Sequence, residues 1–287
     1  MLVTRRRLRG AARRRTGPCD HDGVSPDPGT AETARLAARL RAVGCVWAEE
    51  EVALLLDEAL TPAHLEALVV RREAGVPLEV VVGWAAFAGV RVPVEPGVFV
   101  PRARSALLVR LAVEELGVRP AAAVVVDLGC GTGALGAAVA SARPDAEVWA
   151  VDVDPAAVRC ARQVLAPERV REGDLYDALP AALAGRVAVL LANAPYVPTA
   201  AVALMPPEAR LHEQLRALDG GVDGLDVQRR VLAGAARWLA PDGLVLVETS
   251  RGQSAASAAA AGAAGMTARV EVDDDLDATV LVARPGR

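Results

Sequence analysis

The sequence predicts an α/β fold in which a doubly wound, mostly parallel β-sheet follows a small helical domain. Three observations predict this class. Short apolar strand patterns alternate with helical patterns after residue 104, a glycine-rich turn joins the first of these strands to a helix, and the region before residue 85 shows helical spacing. A chain of 287 residues, 53% of them hydrophobic, is long enough for one large domain and one small one.

The helical region follows an arginine-rich tail, which we assign to residues 1–29. Apolar residues then recur at three- and four-residue spacing, which is typical of helices packed on one face. The pair Thr61-Pro62 predicts a helix start, since a capping hydroxyl precedes a proline at the first helical position. We therefore assign residues 30–84 to a helical domain, which either docks a macromolecular partner or covers the main domain as a stabilising lid.

Residues 85–103 form a predicted linker, in which segment 87–100 alternates around Gly and Pro as a β-hairpin or a bent strand pair would. Residues 104–287 form the sheet domain. Strands separated by helices require parallel pairing with helices on both faces, and ligands gather at the carboxyl ends of such strands. The predicted elements are helices 106–116, 135–142, 155–165 and 225–239 and strands 123–127, 147–152, 187–192, 244–248, 270–272 and 279–283.

The composition gives no support to membrane, disulfide-rich or zinc-binding classes. No apolar stretch approaches the roughly 18 uncharged residues of a membrane span. The four cysteines form no CxxC pair and only three histidines occur, so we expect no metal site and a protein of the reducing cytoplasm. The segment Cys19-Asp20-His21-Asp22 contains metal-ligand types, but a polar linker explains it better.

Seven arginines and no acidic residue occur in the first fifteen positions. Such a tail could contact RNA or the ribosome weakly through electrostatics, and a disordered extension explains it at least as well. The formal net charge of the whole chain is −4, so the chain beyond the tail is acidic. This balance argues against nucleic acid as the main partner.

A strand, a glycine-rich turn and a helix start follow one another around residue 130. Gly129, Gly131 and Gly133 let the backbone pass beneath a ligand without an obstructing Cβ. The pattern also satisfies G-x-G-x-x-G, which by itself is weak evidence for a dinucleotide. Asp127 lies just before the first glycine, where a carboxylate would repel a pyrophosphate but could receive an ammonium group. The context therefore favours S-adenosylmethionine over NAD.

Two further carboxylates follow predicted strands. Asp152 is placed to accept hydrogen bonds from the two ribose hydroxyls of such a cofactor. Asp174 could accept from the adenine amino group. The alternative for each is a helix N-cap, in which the carboxylate accepts from a backbone N–H.

Asn193 is the only asparagine of the chain, and it stands where an apolar run meets a proline-containing loop, Asn193-Ala194-Pro195-Tyr196. Capping and turn positions elsewhere carry Asp, Ser or Gly. A single retained amide beside a rigid proline and a tyrosine indicates chemistry that needs a hydrogen-bond acceptor and a planar stacking surface. The alternative is an Asx-type turn that ends a strand.

Five segments together resemble the HemK/PrmC group of protein-(glutamine-N5) methyltransferases, over about residues 50 to 283. The resemblance implies a class I S-adenosylmethionine-dependent methyltransferase fold with seven strands and a helical amino-terminal domain. It also implies methylation of the glutamine side-chain amide in the Gly-Gly-Gln loop of peptide-chain release factors, and hence a role in translation termination. The segments are Arg71-Arg72-Glu-Ala-Gly-Val-Pro77-Leu, Pro96-Gly-Val-Phe-Val-Pro101-Arg102, Asp127-Leu-Gly-Cys-Gly-Thr-Gly133, Asn193-Ala-Pro-Tyr196 and Ala217-Leu-Asp-Gly-Gly-Val-Asp-Gly224-Leu.

The chain departs from this family pattern at three places. The first proline of N-P-P-Y is Ala194, the acid that ends P-R-P-x-T-E is Ala106, and the helical domain is short. A related protein target therefore stays open beside release factors.

The resemblance suggests a role for each residue of the 193–196 segment. The Asn193 side-chain oxygen and the Ala194 carbonyl would accept the two hydrogens of the substrate amide, which directs its nitrogen towards the methyl group. Pro195 biases Ala194 to an extended conformation, and Tyr196 can stack on the planar amide.

Three other functions compete with this interpretation. An N6-adenine methyltransferase acting on RNA or DNA needs similar Asn-x-Pro-Tyr geometry, but the acidic body lacks the basic surface expected of it. A dinucleotide-dependent oxidoreductase fits the glycines and leaves Asn193 unexplained. A non-catalytic binding module would not need the intact acidic and amide side chains.

Overall fold

The computed structural model describes residues 28–286, which form two compact units that divide between Glu73 and Ala74. The arginine-rich tail and the segment Cys19-Asp20-His21-Asp22 lie outside the described residues. The first unit contains three helices, α1 (Pro28–Ala42), α2 (Ala48–Glu58) and α3 (Pro62–Glu73). The predicted start of α3 is confirmed, because the Thr61 hydroxyl accepts a hydrogen bond from the His64 N–H at 3.1 Å.

Apolar packing and ion pairs hold the three helices of this unit together. Leu36 and Leu40 of α1 are fully buried, as their spacing predicts. Arg72 and Glu51 form a nearly buried ion pair, with 2.6 Å between Nε and Oε2. On the more exposed side, Arg39 donates to both Glu66 and Glu73.

The second unit begins before the sheet domain that we predicted, with helix α4 (Leu78–Val82) and a hairpin of β1 (Trp84–Phe87) and β2 (Val90–Pro93). The hairpin expected over residues 87–100 is thus shorter and lies nearer the amino terminus. Ala88 and Gly89 make the turn, both with positive φ, and an alanine gives little sequence signal for such a turn. Residues 94–101 continue without regular structure.

The remaining elements include all the strands and helices predicted for this part of the chain, together with three helices that were not predicted. The remaining elements are α5 (Ala106–Leu116), β3 (Val124–Leu128), α6 (Ala134–Ala142), β4 (Glu147–Asp152), α7 (Pro155–Ala161), β5 (Val170–Glu172), β6 (Val187–Ala192), α8 (Thr199–Val202), α9 (Pro207–His212), α10 (Asp226–Trp238), β7 (Leu239–Thr249), α11 (Ser254–Ala263), β8 (Met266–Asp273) and β9 (Ala278–Pro285). The predicted bounds of α5, β4 and β6 coincide with the observed ones, whereas the predicted strand 244–248 is only the second half of β7. Helix α11 was not predicted, because its run of alanine and serine has no apolar periodicity.

The predicted seven-stranded, mostly parallel sheet is confirmed, with strand order β5-β4-β3-β6-β7-β9-β8. The first five strands of this order pair in parallel, and β9 is antiparallel to β7 and β8. Strands β3 and β6 are buried at every residue, since helices pack on both faces of the sheet. Strand order reverses between them, so their carboxyl ends open the crevice in which ligands bind in such sheets.

No helix within residues 28–286 is both long and apolar enough to cross a membrane. Over the same residues, no group of three or more His, Cys, Asp or Glu side chains is arranged to hold a metal ion.

Candidate active site

A cavity of about 330 Å³ opens at the carboxyl edge of the sheet, at the predicted position. The turn after β3, the ends of β4, β5 and β6 and two segments outside the sheet form its wall. Most of the wall residues lie within 97–105, 129–135, 152–157, 173–175, 193–195 and 214–217.

The glycine-rich turn after β3 gives the cavity an open backbone floor. Gly129, Gly131 and Gly133 all have positive φ, from +54° to +77°. A Cβ added at Gly129 or Gly131 would meet no atom within 4 Å, whereas one at Gly133 would lie 3.0 Å from Cα of Ala161 in α7. The first two glycines therefore leave room for a ligand, and the third allows close helix packing.

Asp127 lies beneath this turn and is fully buried. Its Oδ2 accepts from the Gly136 N–H at 3.0 Å, while Oδ1 is buried and has no hydrogen-bond partner among the described residues. Burial raises the pKa of Asp127 to about 7. The side chain does not line the cavity, so its contact with a cofactor ammonium group stays a prediction. The prediction is supported by Oδ1, since a buried carboxylate oxygen without a partner needs a hydrogen-bond donor.

Asp152 lines the cavity at the end of β4. Its two oxygens accept from the N–H groups of Gly131 and Asp154, each at 2.8 Å. Burial raises the pKa of Asp152. The N-cap alternative does not apply, because Asp154 caps α7 by accepting from the Ala156 N–H. Asp152 thus links the glycine turn to the adjoining strand end, and ribose binding stays a prediction.

Asp174 also lines the cavity, just after β5. It pairs with Arg230 at 2.7 Å, and both side chains are about half exposed. Asp174 precedes a short helical turn but makes no side-chain cap there. Its predicted contact with adenine is therefore untested.

Asn193 follows the last residue of β6 and reaches the cavity wall, as does Pro195. The Asn193 Nδ2 donates to the Ser105 Oγ at 3.1 Å, which leaves Oδ1 without a described partner. Ala194 is 2% exposed and does not line the cavity, although its carbonyl accepts no hydrogen bond from a described residue.

Tyr196 is held by groups away from the cavity wall. Its hydroxyl donates to Glu248 Oε1 at 3.1 Å, and the Arg104 guanidinium lies 5.8 Å from the ring centroid. Burial, reinforced by the Glu248 carboxylate, raises the pKa of Tyr196. The ring is not among the cavity-lining groups, so its predicted stacking on a substrate amide stays untested.

A second glycine-rich segment, residues 220–224, packs closely against the backbone of the 193–196 loop. A Cβ at Gly220 would lie 2.6 Å from the Pro195 oxygen, and one at Gly224 would lie 2.3 Å from the Tyr196 oxygen. The Gln253 side chain donates to the same Tyr196 oxygen at 2.9 Å. The geometry of the 193–196 loop is therefore set by close backbone contacts.

Comparison with known proteins identifies the family. The family model "Methyltransferase small domain" matches residues 90–221. The chain is 42% identical to a release factor glutamine methyltransferase of Gloeobacter violaceus over 67% of this chain and 69% of that protein. The chain belongs to the release factor glutamine methyltransferase family. Relatives of the same name are 39% identical in Mycolicibacterium smegmatis, over 75% of this chain and 77% of that protein, and 34% identical in Burkholderia pseudomallei, over 92% and 98%.

The fold is accordingly that of a class I methyltransferase, and the chain is an enzyme of that class. Membership of this methyltransferase family supports the main interpretation over an adenine methyltransferase and over a dinucleotide-dependent oxidoreductase.

Several residues of this methyltransferase site were not singled out from the sequence. Phe99 and Ser105 line the cavity within the family's motif segments, so the resemblance could have pointed to them. Gln214 lines it too and donates to Asp154 Oδ2 at 2.7 Å. Glu248 carries no local signal, because only the folded sheet brings it to Tyr196.

Proposed function

We propose that this protein transfers a methyl group from S-adenosylmethionine to the side-chain nitrogen (N5) of a protein glutamine, in the Gly-Gly-Gln loop of a peptide-chain release factor in the cytoplasm. The observation that supports this most is the Asn193 amide. Its nitrogen donates to Ser105, its oxygen has no partner among the described residues, and Asn193 lines a cavity that the glycine-rich turn also lines. A free amide oxygen suits a substrate that carries two N–H groups.

The residues at the glycine-rich turn fit the cofactor. Open space above Gly129 and Gly131 admits a ligand against the backbone, and the unpartnered Asp127 Oδ1 suits a cationic donor. Asp152 at the end of β4 would accept from the ribose hydroxyls. When bound, S-adenosylmethionine supplies an electrophilic methyl group on a sulfonium centre.

The loop after β6 would orient the substrate amide. An amide nitrogen is a poor nucleophile because its lone pair is delocalised into the carbonyl. If Asn193 Oδ1 and the Ala194 oxygen accept its two hydrogens, the nitrogen is held in one orientation. Pro195 disfavours the helical conformation at Ala194, which would leave the Ala194 carbonyl available. Phe99 and Pro195 add apolar surface on which the glutamine stem can pack.

The test is methyl transfer to a defined protein. The purified enzyme is incubated with methyl-labelled S-adenosylmethionine and either a release factor or the same factor with its Gly-Gly-Gln glutamine changed to alanine. We expect label in the first factor alone, removable by protease. Label that enters RNA or DNA from a hypomethylated lysate, and is removed by nuclease, would favour the adenine methyltransferase instead.

A further inference from the structure

Ser105 lies beside the candidate catalytic amide although 88 residues separate it from Asn193 in the chain. It ends a short helical turn, Ala103–Ser105, directly before α5. Ser105 is 2% exposed, and its Oγ accepts the hydrogen bond from Asn193 Nδ2 at 3.1 Å. Both residues line the cavity.

An asparagine amide can take two orientations of nearly the same shape, with its donor and acceptor ends exchanged. If Nδ2 faced the cavity, it could not accept from a substrate N–H group. The oxygen is available only while Nδ2 is turned towards Ser105. A serine hydroxyl can accept or donate, and in this arrangement it accepts.

The turn that carries Ser105 is itself fixed. The Ser105 N–H donates to the Arg102 carbonyl at 3.0 Å. Its neighbour Arg104 donates through Nε to Glu248 Oε1 at 3.2 Å, and Glu248 is 2% exposed at the end of β7. Because Glu248 also holds the Tyr196 hydroxyl, the turn and the 193–196 loop share one buried anchor. The Ser105 hydroxyl therefore has a defined place relative to that loop.

We propose that Ser105 is a positioning residue for methyl transfer, which holds the Asn193 amide with its oxygen free for the substrate glutamine. The proposal rests on the proposed function. It assigns to Ser105 no contact with the reacting atoms, because the hydroxyl acts only through Asn193.

The experiment is a double-mutant cycle on the full chain with Ser105→Ala, Asn193→Ala and both together. Single-turnover methyl transfer to a release factor gives the rate, and calorimetry gives the S-adenosylmethionine affinity. We expect Ser105→Ala to lower the rate about tenfold, the scale of one net hydrogen bond, with the cofactor affinity unchanged. In the Asn193→Ala background the same change should alter the rate by less than about twofold, since Ser105 then has nothing to orient. Ser105→Thr, which keeps the hydroxyl, should restore the rate.

The outcomes separate this proposal from the proposed function. If the wild-type enzyme methylates no release factor, the proposed function fails. If it does, and Ser105→Ala transfers methyl at the wild-type rate, loses cofactor affinity, or lowers the rate equally in both backgrounds, Ser105 does not act through Asn193. Should Ser105→Ala not fold, Ser105→Cys takes its place, because it keeps the side-chain volume and is a much weaker hydrogen-bonding group. A wild-type rate in Ser105→Cys likewise overturns the proposal.

Discussion

The close packing of residues 220–224 against the 193–196 loop predicts that adding one methyl group at Gly220 slows methyl transfer. The glycine-rich turn after β3, and with it cofactor binding, should be unaffected. A Cβ at this position would lie 2.5 Å from the Gly224 oxygen and 2.6 Å from the Pro195 oxygen. Both neighbours are backbone atoms, so no side-chain rotation can relieve the contact. The Gly220–Gly224 segment must therefore rearrange, and it must also move away from the 193–196 loop.

The size of this shift follows from the contact distance. An ordinary contact begins at 3.4 Å, so the added Cβ and the Pro195 oxygen must move apart by about 0.8 Å from their distance of 2.6 Å. A misplacement of about 1 Å at a reacting centre can lower the rate about 10²-fold. Overpacking costs about 1–3 kcal/mol, which a folded domain of this size can bear. We therefore expect Gly220→Ala to fold and to transfer methyl roughly 10²-fold more slowly.

Single-turnover methyl transfer to a release factor, calorimetric binding of S-adenosylmethionine and thermal unfolding check this expectation. The matched control is Gly252→Ala, because a Cβ there meets no atom within 4 Å and its φ is ordinary. The control should keep the wild-type rate, and cofactor affinity should be wild-type in both variants. Wild-type transfer by Gly220→Ala would refute the argument that this segment sets the geometry of the catalytic loop.

Three further predictions concern the site. Asn193→Ala should reduce turnover roughly 10²–10³-fold at unchanged cofactor affinity, with Asn193→Asp less damaged, as measured by single-turnover kinetics and calorimetry. Asp152→Ala should weaken binding of S-adenosylmethionine by about 1.5–3 kcal/mol, and equal affinity by calorimetry would remove Asp152 from the site. Because burial raises the pKa of Asp127 from 3.8 to about 7, the folded state keeps a proton that the unfolded state releases, and the free energy of unfolding should fall as pH rises between these values. Denaturant unfolding over a pH series should show this slope in the wild type and a flatter one in Asp127→Asn.

The sheet could be predicted from the sequence because its central strands have the apolar pattern of strands buried on both faces. Strands β3 and β6 are short runs that are apolar apart from Asp127, and a loop containing glycine or proline follows each of them. The hairpin was misplaced because its turn uses Ala88, while the more visible Gly97 belongs to an irregular segment. Helix α11 was missed because alanine fits any environment and shows no face.

The site was predictable only where one residue carries its own signal. Asn193 could be predicted as a candidate because its type occurs once in the chain, and Asp152 because it ends a strand close to the glycine turn; both line the cavity, and their roles stay predictions. Ser105 and Glu248 act through partners 88 and 52 residues away, and such pairings exist only after the sheet has formed. The contacts of these supporting residues therefore depend on the folded topology, and no local sequence pattern predicts them.

These supporting contacts limit the structural effect of Ala194, which stands where the family motif has proline. A proline there would fix φ, and alanine does not. In this chain the loop is instead restrained from outside, by the near-contact of Gly220 and Gly224 with its carbonyls and by the hydrogen bond from Gln253 to the Tyr196 oxygen. Ala194 is 2% exposed, so its side chain is also confined. The conformational freedom that alanine adds to the unfolded chain is thus lost again on folding, and we infer that the substitution costs stability more than it alters the geometry presented to the substrate.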